Sequence, residues 1–243
     1  MWFGTRDGLD RYDGYTFRHS RSKPFNENSL PNNVVLSLVE DPWGLIWIGT
    51  DGGGLCAYDR TQDTYTHFHH DPANTQSLGG GSVSTLVIDS ARTLWIGTSG
   101  GGLSRLDLCA YHNPSLPARE RARFSTVTTR GADGKRLSSD EVLGLYVNSD
   151  ASIWATLSTG NFDRIDIRSG AVRTYWWAPD GYRTDGRPVT RSRGLRFCFL
   201  PMVSHGFIFG DKAQVFEYRS NDDRIHNVGA LHTPRVDGVR AVI

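Results

Sequence analysis

Apolar positions along this chain fall into short runs, and no stretch holds a sustained 3.6-residue apolar period. One phrase headed by a large apolar residue recurs. It reads WFGTRDGLDRYD from Trp2, WIGTDGGGLCAYD from Trp47, WIGTSGGGLSRLD from Trp95 and WATLSTGNFDRID from Trp154, with a worn copy, IFGDKAQVFEYR, from Ile208. The starts lie 45, 48, 59 and 54 residues apart, a period that fits propeller blades or helical arrays. The pattern inside the period decides between them. Each full period carries four apolar segments: V-x-x-L-x-x-D, then L-W-I-G-T, then G-L-x-R-Y-D, then a segment resembling TYTHFHH. The first of these is Val35/Leu38/Asp41, Val83/Leu86/Asp89 and Val142/Leu145/Asn148. Trp, Tyr, Val, Ile, Phe and Thr fill the segments and Gly, Asp and Asn separate them, which predicts short strands in hairpins. Four strands per period predict an all-β fold, a β-propeller of about five four-stranded blades.

Predicted blades cover 1–28, 29–76, 77–130, 137–180 and 190–230, and 236–243 is a first strand of a next or closing blade. The repeat columns have expected duties. Trp and the following Ile or Phe fill the space between neighbouring sheets, and the next Gly admits a neighbouring backbone. Gly52–Gly54 and Gly100–Gly102 are expected to turn a hairpin with positive φ. Asp13, Asp59, Asp107 and Asp166 close the third strand, where their side chains can bond turn backbone. Cys56 shares a column with Asp10, Ser104 and Asp163, a variable one that reads as outward. Trp2 has no V-x-x-L-x-x-D before it, and Val239-x-x-Val242 supplies that spacing at the other end. The 239–243 strand could therefore close a five-blade ring beside strand 1–5. Alternatively the chain is part of a larger, seven-bladed propeller, the reading preferred here because open edges are a hazard only in isolation.

The phrase as a whole resembles the two-component regulator propeller repeat. Its residues here are Asp41, Gly44, Trp47, Gly49, Thr50, Gly53, Gly54, Leu55, Tyr58 and Asp59, preceded by Asn28, Ser29, Leu30, Pro31, Asn33 and Val35; a second match runs from Ser77 to Asp107. Ser158-Thr159-Gly160 replaces the Gly-Gly turn in one later copy, and Met202 stands in place of the first-strand Asp in another. The resemblance implies a sensory, non-catalytic part of a bacterial two-component receptor, extracytoplasmic and therefore periplasmic. Such propellers are followed by a β-sandwich, a membrane helix and a histidine kinase or diguanylate cyclase output. The implied partners are an unknown small-molecule or oligosaccharide ligand and those downstream modules, with room for a dimer in the full receptor.

Composition narrows this little further. The 243 residues are 38% hydrophobic, enough for a core, and the net charge of +1 gives no global pull toward nucleic acid or anionic membrane. No aromatic residues interleave with the basic runs as base stacking requires, so no nucleic-acid partner is expected. No apolar run approaches the roughly 18 residues of a membrane helix, and the N-terminus reads as no signal peptide; no membrane contact is expected of this segment. Cys56, Cys109 and Cys198 show no CxxC and are expected to be free thiols.

Candidate chemistry is sparse. His67 and His69 share a strand face with His70 next to them, so sterics allow a metal pair, but no further ligand stands at a recognisable spacing and an outer edge strand favours solvated His. GTDGGG lacks the Lys-Ser/Thr and the helix of a phosphate loop. DPWGLIW resembles an Asp-box of sialidase-type propellers with its Gly one residue late. Only five glutamates are present, and a glycosidase needs a placed carboxylate pair or a Tyr with acidic support. Neither a catalytic residue, a metal nor a cofactor is assigned. A propeller glycosidase or lyase, and a free-standing protein-interaction propeller, are the alternatives. Arg183, Arg187, Arg191, Arg193 and Arg196 form one basic run, and Arg119, Arg121 and Arg123 another; both read as solvated loops, with an anionic ligand as the alternative. If a ligand binds, the turn after each second strand and the connection into the next blade share one face. That face gathers Arg6, Asp7, Asn32, Asn33, Asp51, Ser99, Ser139 and Asp140, and loops on a rigid scaffold are where recognition tends to sit.

Overall fold

Four strands per period are what the chain forms. The computed structural model describes residues 1–148, 151–178, 181–183, 198–201, 207–210, 215–219, 223–229 and 241–242. In chain order the elements are β1 (Trp2–Gly4), β2 (Leu9–Tyr12), β3 (Phe17–Ser20), β4 (Val35–Glu40), β5 (Leu45–Thr50), β6 (Leu55–Asp59), β7 (Thr64–Phe68), β8 (Val83–Ile88), β9 (Thr93–Thr98) and β10 (Leu103–Asp107). Two short helices, α1 (Leu108–Tyr111) and α2 (Ala118–Arg121), precede β11 (Phe124–Val127). There follow β12 (Val142–Asn148), β13 (Ser152–Leu157), β14 (Phe162–Asp166), β15 (Val172–Ala178), β16 (Gly181–Arg183), β17 (Cys198–Pro201), β18 (Phe207–Gly210), β19 (Val215–Arg219), β20 (Arg224–Gly229) and β21 (Ala241–Val242).

The strands pair as antiparallel meanders. Blade two is β4-β5-β6-β7, and blade three is β8-β9-β10-β11. Blade one is β21-β1-β2-β3, with Phe3 opposite Val242, so the first strand missing before Trp2 comes from the far end of the chain. Blade four (β12 to β15) and blade five (β17 to β20) depart from the expected separate sheets. β15 runs on past its partner, and β16 pairs with both β15 and β20, giving one nine-stranded sheet. The chain divides into two compact units, residues 1–126 with 236–243, and residues 127–235.

Within the first unit the core lies between successive blades. Trp47 and Leu55 of blade two cluster with Leu86, Leu94, Ile96 and Leu106 of blade three. Trp2 and Leu9 of blade one cluster likewise with Val35, Ile46, Ile48 and Tyr58 of blade two. The glycine after Trp47-Ile48 is needed for this approach: a Cβ on Gly49 would lie 2.6 Å from Val83 Cγ1 and 2.9 Å from its carbonyl oxygen. Each first strand of blades two, three and four carries a register shift near its start, at Val35/Ser37, Val83/Thr85 and Val142/Gly144, where a bulge adds local twist.

Two short helices where a loop was expected are a second departure. Asp107 caps α1 by accepting from the Cys109 and Ala110 N–H groups. Tyr111 then packs edge-on against Trp47 at 5.1 Å between centroids. The Arg119–Arg123 run lies on and beside α2, where Arg123 pairs with Glu120 at 3.8 Å. The run from Arg187 to Arg196, like Met202, lies outside the described residues, and of Arg183 only the backbone, in β16, is described.

Candidate functional site

The proposed ligand face is built from two kinds of loop, and in the first unit they interlock. Gly52 and Gly54 adopt φ of 81° and 80°, and Gly100 and Gly102 adopt 85° and 79°; the left-handed region suits glycine. The Thr before each turn closes it: Thr50 Oγ1 donates to the Gly54 carbonyl at 2.9 Å, and Thr98 Oγ1 to the Gly102 carbonyl at 2.8 Å. Thr5 does the same to Gly8 at 2.9 Å. The turn of one blade then meets the loop entering the next. Val35 N–H donates to the Thr5 carbonyl at 2.8 Å, and Gly54 N–H to the Gly81 carbonyl at 2.8 Å. Ser82 Oγ accepts from Gly52 N–H and donates to Asp51 Oδ1, both at 2.9 Å, while its carbonyl accepts from Ser99 N–H at 2.9 Å. Asp51 and Ser99 are thus brought together through Ser82, which the repeat phrase did not single out.

The other expected residues are partly engaged in holding their own loops. Asn32 Oδ1 accepts from Val34 N–H, and Asn33 Oδ1 from Ser22 N–H at 2.7 Å. Asp7 pairs with Arg21, and Arg6 is exposed beside it. Ser139 and Asp140 lie in the second unit. There Asp140 accepts from both the N–H and the hydroxyl of Thr129, and Ser139 Oγ stands 3.4 Å from Ser158 Oγ.

Three of the four positions in the column of Asp10, Cys56, Ser104 and Asp163 are not outward; Asp10 keeps partial exposure and pairs with His19, whereas Cys56, Ser104 and Asp163 face inward. All three are buried with no exposed surface, because the loop entering each blade lies over them. Ser104 Oγ accepts from Gly79 N–H at 3.0 Å and bonds Thr126 Oγ1 at 2.8 Å. Asp163 repeats this as a carboxylate, accepting from Ser138 N–H at 2.7 Å and from Thr174 Oγ1 at 2.6 Å. Cys56 stands opposite His67, whose Nε2 lies 2.7 Å from the Ser29 carbonyl. Cys56 and Cys109 are free thiols, and burial pushes that of Cys56 up to about 12; only the backbone of Cys198 is described.

Burial raises the Asp163 carboxyl to about 6, against the opposing pull of its Thr174 and Ser138 hydrogen bonds. An acid raised in the folded state favours folding most below its unfolded value of 3.8, and that contribution is lost as pH rises through about 6. We expect Asp163→Asn, which keeps an acceptor for Ser138, to remove this slope. The difference in unfolding free energy between variant and wild type should shift toward the variant by about 2 kcal/mol between pH 4 and pH 7. Urea titrations at stepped pH check it, and parallel curves for the two proteins would refute it.

At the opposite ends of the blades the first-strand Asp has a duty that its spacing hid. Asp41 Oδ2 accepts the Trp47 indole N–H at 2.9 Å, and Asp89 Oδ2 accepts that of Trp95 at 2.8 Å. Asp41 Oδ1 takes the backbone N–H groups of Trp43 and Leu45. His112, carried in by the helical insertion, places Nε2 2.9 Å from Asp41 Oδ2 and stacks on Trp43 at 4.3 Å. Trp43, Asp59, Arg60 and His112 line a shallow cleft of about 270 Å³ there. His70 Nδ1 lies 2.7 Å from the Leu78 carbonyl, and among the described residues no group of three or more His, Cys, Asp or Glu is placed to hold a metal ion.

The repeat geometry has a counterpart in sequence families. The model of the two component regulator propeller matches residues 29–52 and 77–100. Those two segments are two-component regulator propeller repeats. Each match spans the loop entering a blade, its first two strands and the start of the Gly turn. A search of curated proteins found no match. Among solved structures, the propeller-repeat chain is similar to the extracellular domain assigned to the hybrid two component system BT3049 of B. thetaiotaomicron, at 18% identity and a TM-score of 0.74, covering 94% of this chain and 28% of that one. For the BT4673 extracellular domain of the same organism the values are 20%, 0.69, 94% and 29%. PorZ, a surface component of the type-IX secretion system of Porphyromonas gingivalis, gives 12%, 0.59, 96% and 33%. At these identities the likeness is one of fold. The propeller-repeat chain spans about a third or less of the length of each of these structures. Among its described residues, no helix is long and apolar enough to cross a membrane.

Proposed function

We propose that this chain is the sensory, non-catalytic propeller of a bacterial two-component receptor, facing the periplasm. In this reading it binds a ligand, an oligosaccharide in the first instance, and passes a rigid-body shift to a downstream β-sandwich and a kinase or cyclase output. The observation that carries the reading is the pair of two-component regulator repeats at 29–52 and 77–100. The likeness in fold to extracellular domains of two-component systems supports it. The ligand face of the first unit is the one holding Arg6, Asp7, Asn32, Asn33, Asp51 and Ser99; Ser139 and Asp140 hold the corresponding loop of the second unit.

The test is calorimetric titration with xylan-, laminarin- and pectin-derived oligosaccharides, followed by hydrogen exchange on the mixture that binds. Protection is expected in loops 5–8, 30–34, 51–54 and 98–102, with the sugar recovered intact. Protection confined to the opposite turns, 13–16, 59–63 and 89–93, would sink the assigned face, and cleavage of the sugar would sink the non-catalytic reading.

A further inference from the structure

Four Asp-Gly bonds lie among the described residues, at 7–8, 13–14, 51–52 and 133–134. Such a bond can rearrange by itself. The glycine nitrogen attacks Cγ of the aspartate, an N–Cγ bond forms, and the amide proton and the carboxyl hydroxyl leave together as water. Water then reopens the succinimide ring. Addition at Cγ restores aspartate. Addition at the main-chain carbonyl carbon breaks its bond to nitrogen and leaves isoaspartate, with the chain routed through the former side chain. Glycine favours this because no Cβ shields its nitrogen and its backbone is permissive. In a folded chain the reaction also needs a carboxyl group and an N–H that nothing holds apart.

Three of the four bonds are held. Asp13 Oδ1 accepts from Thr16 N–H at 2.8 Å and from Tyr15 N–H at 2.9 Å. These bonds, Thr16 first, keep the Asp13 carboxyl below its usual range, and so out of the protonated form that releases water. Ser82 Oγ accepts from Gly52 N–H and donates to Asp51 Oδ1, which pins both reacting groups of that bond to one hydroxyl. At 7–8, Arg21 pairs with the Asp7 carboxylate and donates from Nε to the Asp7 main-chain carbonyl at 3.1 Å. It grips both carbonyl groups that a ring would join. Asp133-Gly134 differs. It occupies the centre of a turn closed by Lys135 N–H donating to the Ala132 carbonyl at 2.9 Å. The Asp133 side chain is 92% exposed and pairs with Arg136 at 3.3 Å, an exposed ion pair of the kind that contributes little. Gly134 N–H makes no hydrogen bond among the described residues, and a Cβ built on Gly134 would meet nothing within 4 Å.

We propose that Asp133-Gly134 is a modification site, where the folded chain converts aspartate to isoaspartate without an enzyme and ahead of its other described Asp-Gly bonds. The product carries one extra main-chain carbon in a turn whose Gly134 carbonyl accepts from Val172 N–H at 2.6 Å. The tie between loop 128–138 and β15 should therefore loosen. That loop leads directly into Ser139 and Asp140. The proposal does not rest on the sensory reading, because the rearrangement needs no ligand.

The test is to age the whole chain at neutral pH and digest it with trypsin, which releases residues 131–135, GADGK, as one peptide. Isoaspartate is expected as a second form of this peptide, equal in mass and shifted in retention, with its own backbone fragments on electron-transfer dissociation. It should accumulate before any counterpart at Asp7, Asp13 or Asp51. In urea, where no fold holds those three, their rates should approach that of Asp133. Asp133→Glu, which would need a larger ring, should leave the peptide in a single form. Asp133→Asn should yield the same product faster, because a neutral amide is attacked more readily than a carboxylate. Thermal unfolding near the wild-type value establishes that both variants are folded. In the modified fraction the Val172 amide should exchange faster with solvent, and unchanged exchange would overturn the loosening. A single form of the aged wild-type peptide, earlier isoaspartate at Asp13 or Asp51, or a second form persisting in Asp133→Glu would overturn the site. An undiminished lead of Asp133 in urea would overturn the fold as the cause of selectivity.

Discussion

Trp47→Ala should lower the stability of the first unit by about 3–5 kcal/mol, the range for a fully buried large aromatic. The indole has no exposed surface and packs against Phe68 at 5.7 Å and Tyr111 at 5.1 Å between ring centroids. It also belongs to the cluster that joins blade two to blade three. The void would thus open between two sheets, each of which buries little by itself. Urea unfolding followed by far-UV circular dichroism measures the loss. Trp43→Ala is the natural contrast, because Trp43 is 44% exposed and touches mainly His112 and Arg92. It should cost well under half as much. Equal losses for the two variants would mean that packing between blades is not what the repeated tryptophan provides.

Asp41→Ala is expected to be comparably damaging, at about 3–5 kcal/mol, although it removes few apolar contacts. Its carboxyl group accepts from Trp43 N–H, Leu45 N–H and the Trp47 indole N–H, with His112 Nε2 also 2.9 Å away. Leaving such donors buried without an acceptor costs roughly 1–3 kcal/mol each, with partial relief by water. Asp41→Asn keeps one acceptor oxygen but sets an amide N–H against the indole N–H, and should cost about 1–2 kcal/mol. Blade four shows this substitution in place: Asn148 occupies the column, and its Nδ2 has no hydrogen-bond partner among the described residues. A double-mutant cycle with Trp47→Phe tests the pairing. Coupling of at least about 0.5 kcal/mol is expected for residues in one network, and strict additivity would count against the hydrogen bond as the reason for the Asp-x₅-Trp spacing.

The repeat columns show how much of this was legible. Trp47 fills the space between two sheets and Gly52 and Gly54 form a turn with positive φ, as the repeat phrase leads one to expect, because each answers a demand met within a single blade and its neighbour. The Asp column at the end of the third strand bonds its turn as expected, Asp59 Oδ1 accepting from Thr61 and Gln62 N–H. Cys56 was misread. Its column varies in residue type, which suggested solvent, yet variation there reflects different ways of meeting the incoming loop: a hydroxyl at Ser104, a carboxylate at Asp163 and a thiol at Cys56. The turn after the first strand misleads in the opposite direction. Gly44 has φ of 88°, while Arg92 and Ala151 hold the same position at 63° and 58°. In blade three the Asp89 bond to Thr93 N–H fixes that turn whether or not glycine is present.

Ser82 and His112 were beyond reach of the repeat phrase. Ser82 joins two loops about 30 positions apart, and His112 meets Asp41 across 71 positions; no local spacing records either.

Local sequence was enough for four strands per repeat, the glycine turns and the kind of repeat. These follow from local chemistry: short apolar segments, left-handed glycines and Asp side chains that bond the next few N–H groups. Tertiary structure alone decided that the far end of the chain supplies the first strand of blade one, and that β16 joins two blades into one sheet. It also decided which positions of the polar column are buried. Each of these depends on groups far apart in the chain meeting at a chosen distance, and that distance is set by how sheets twist and pack.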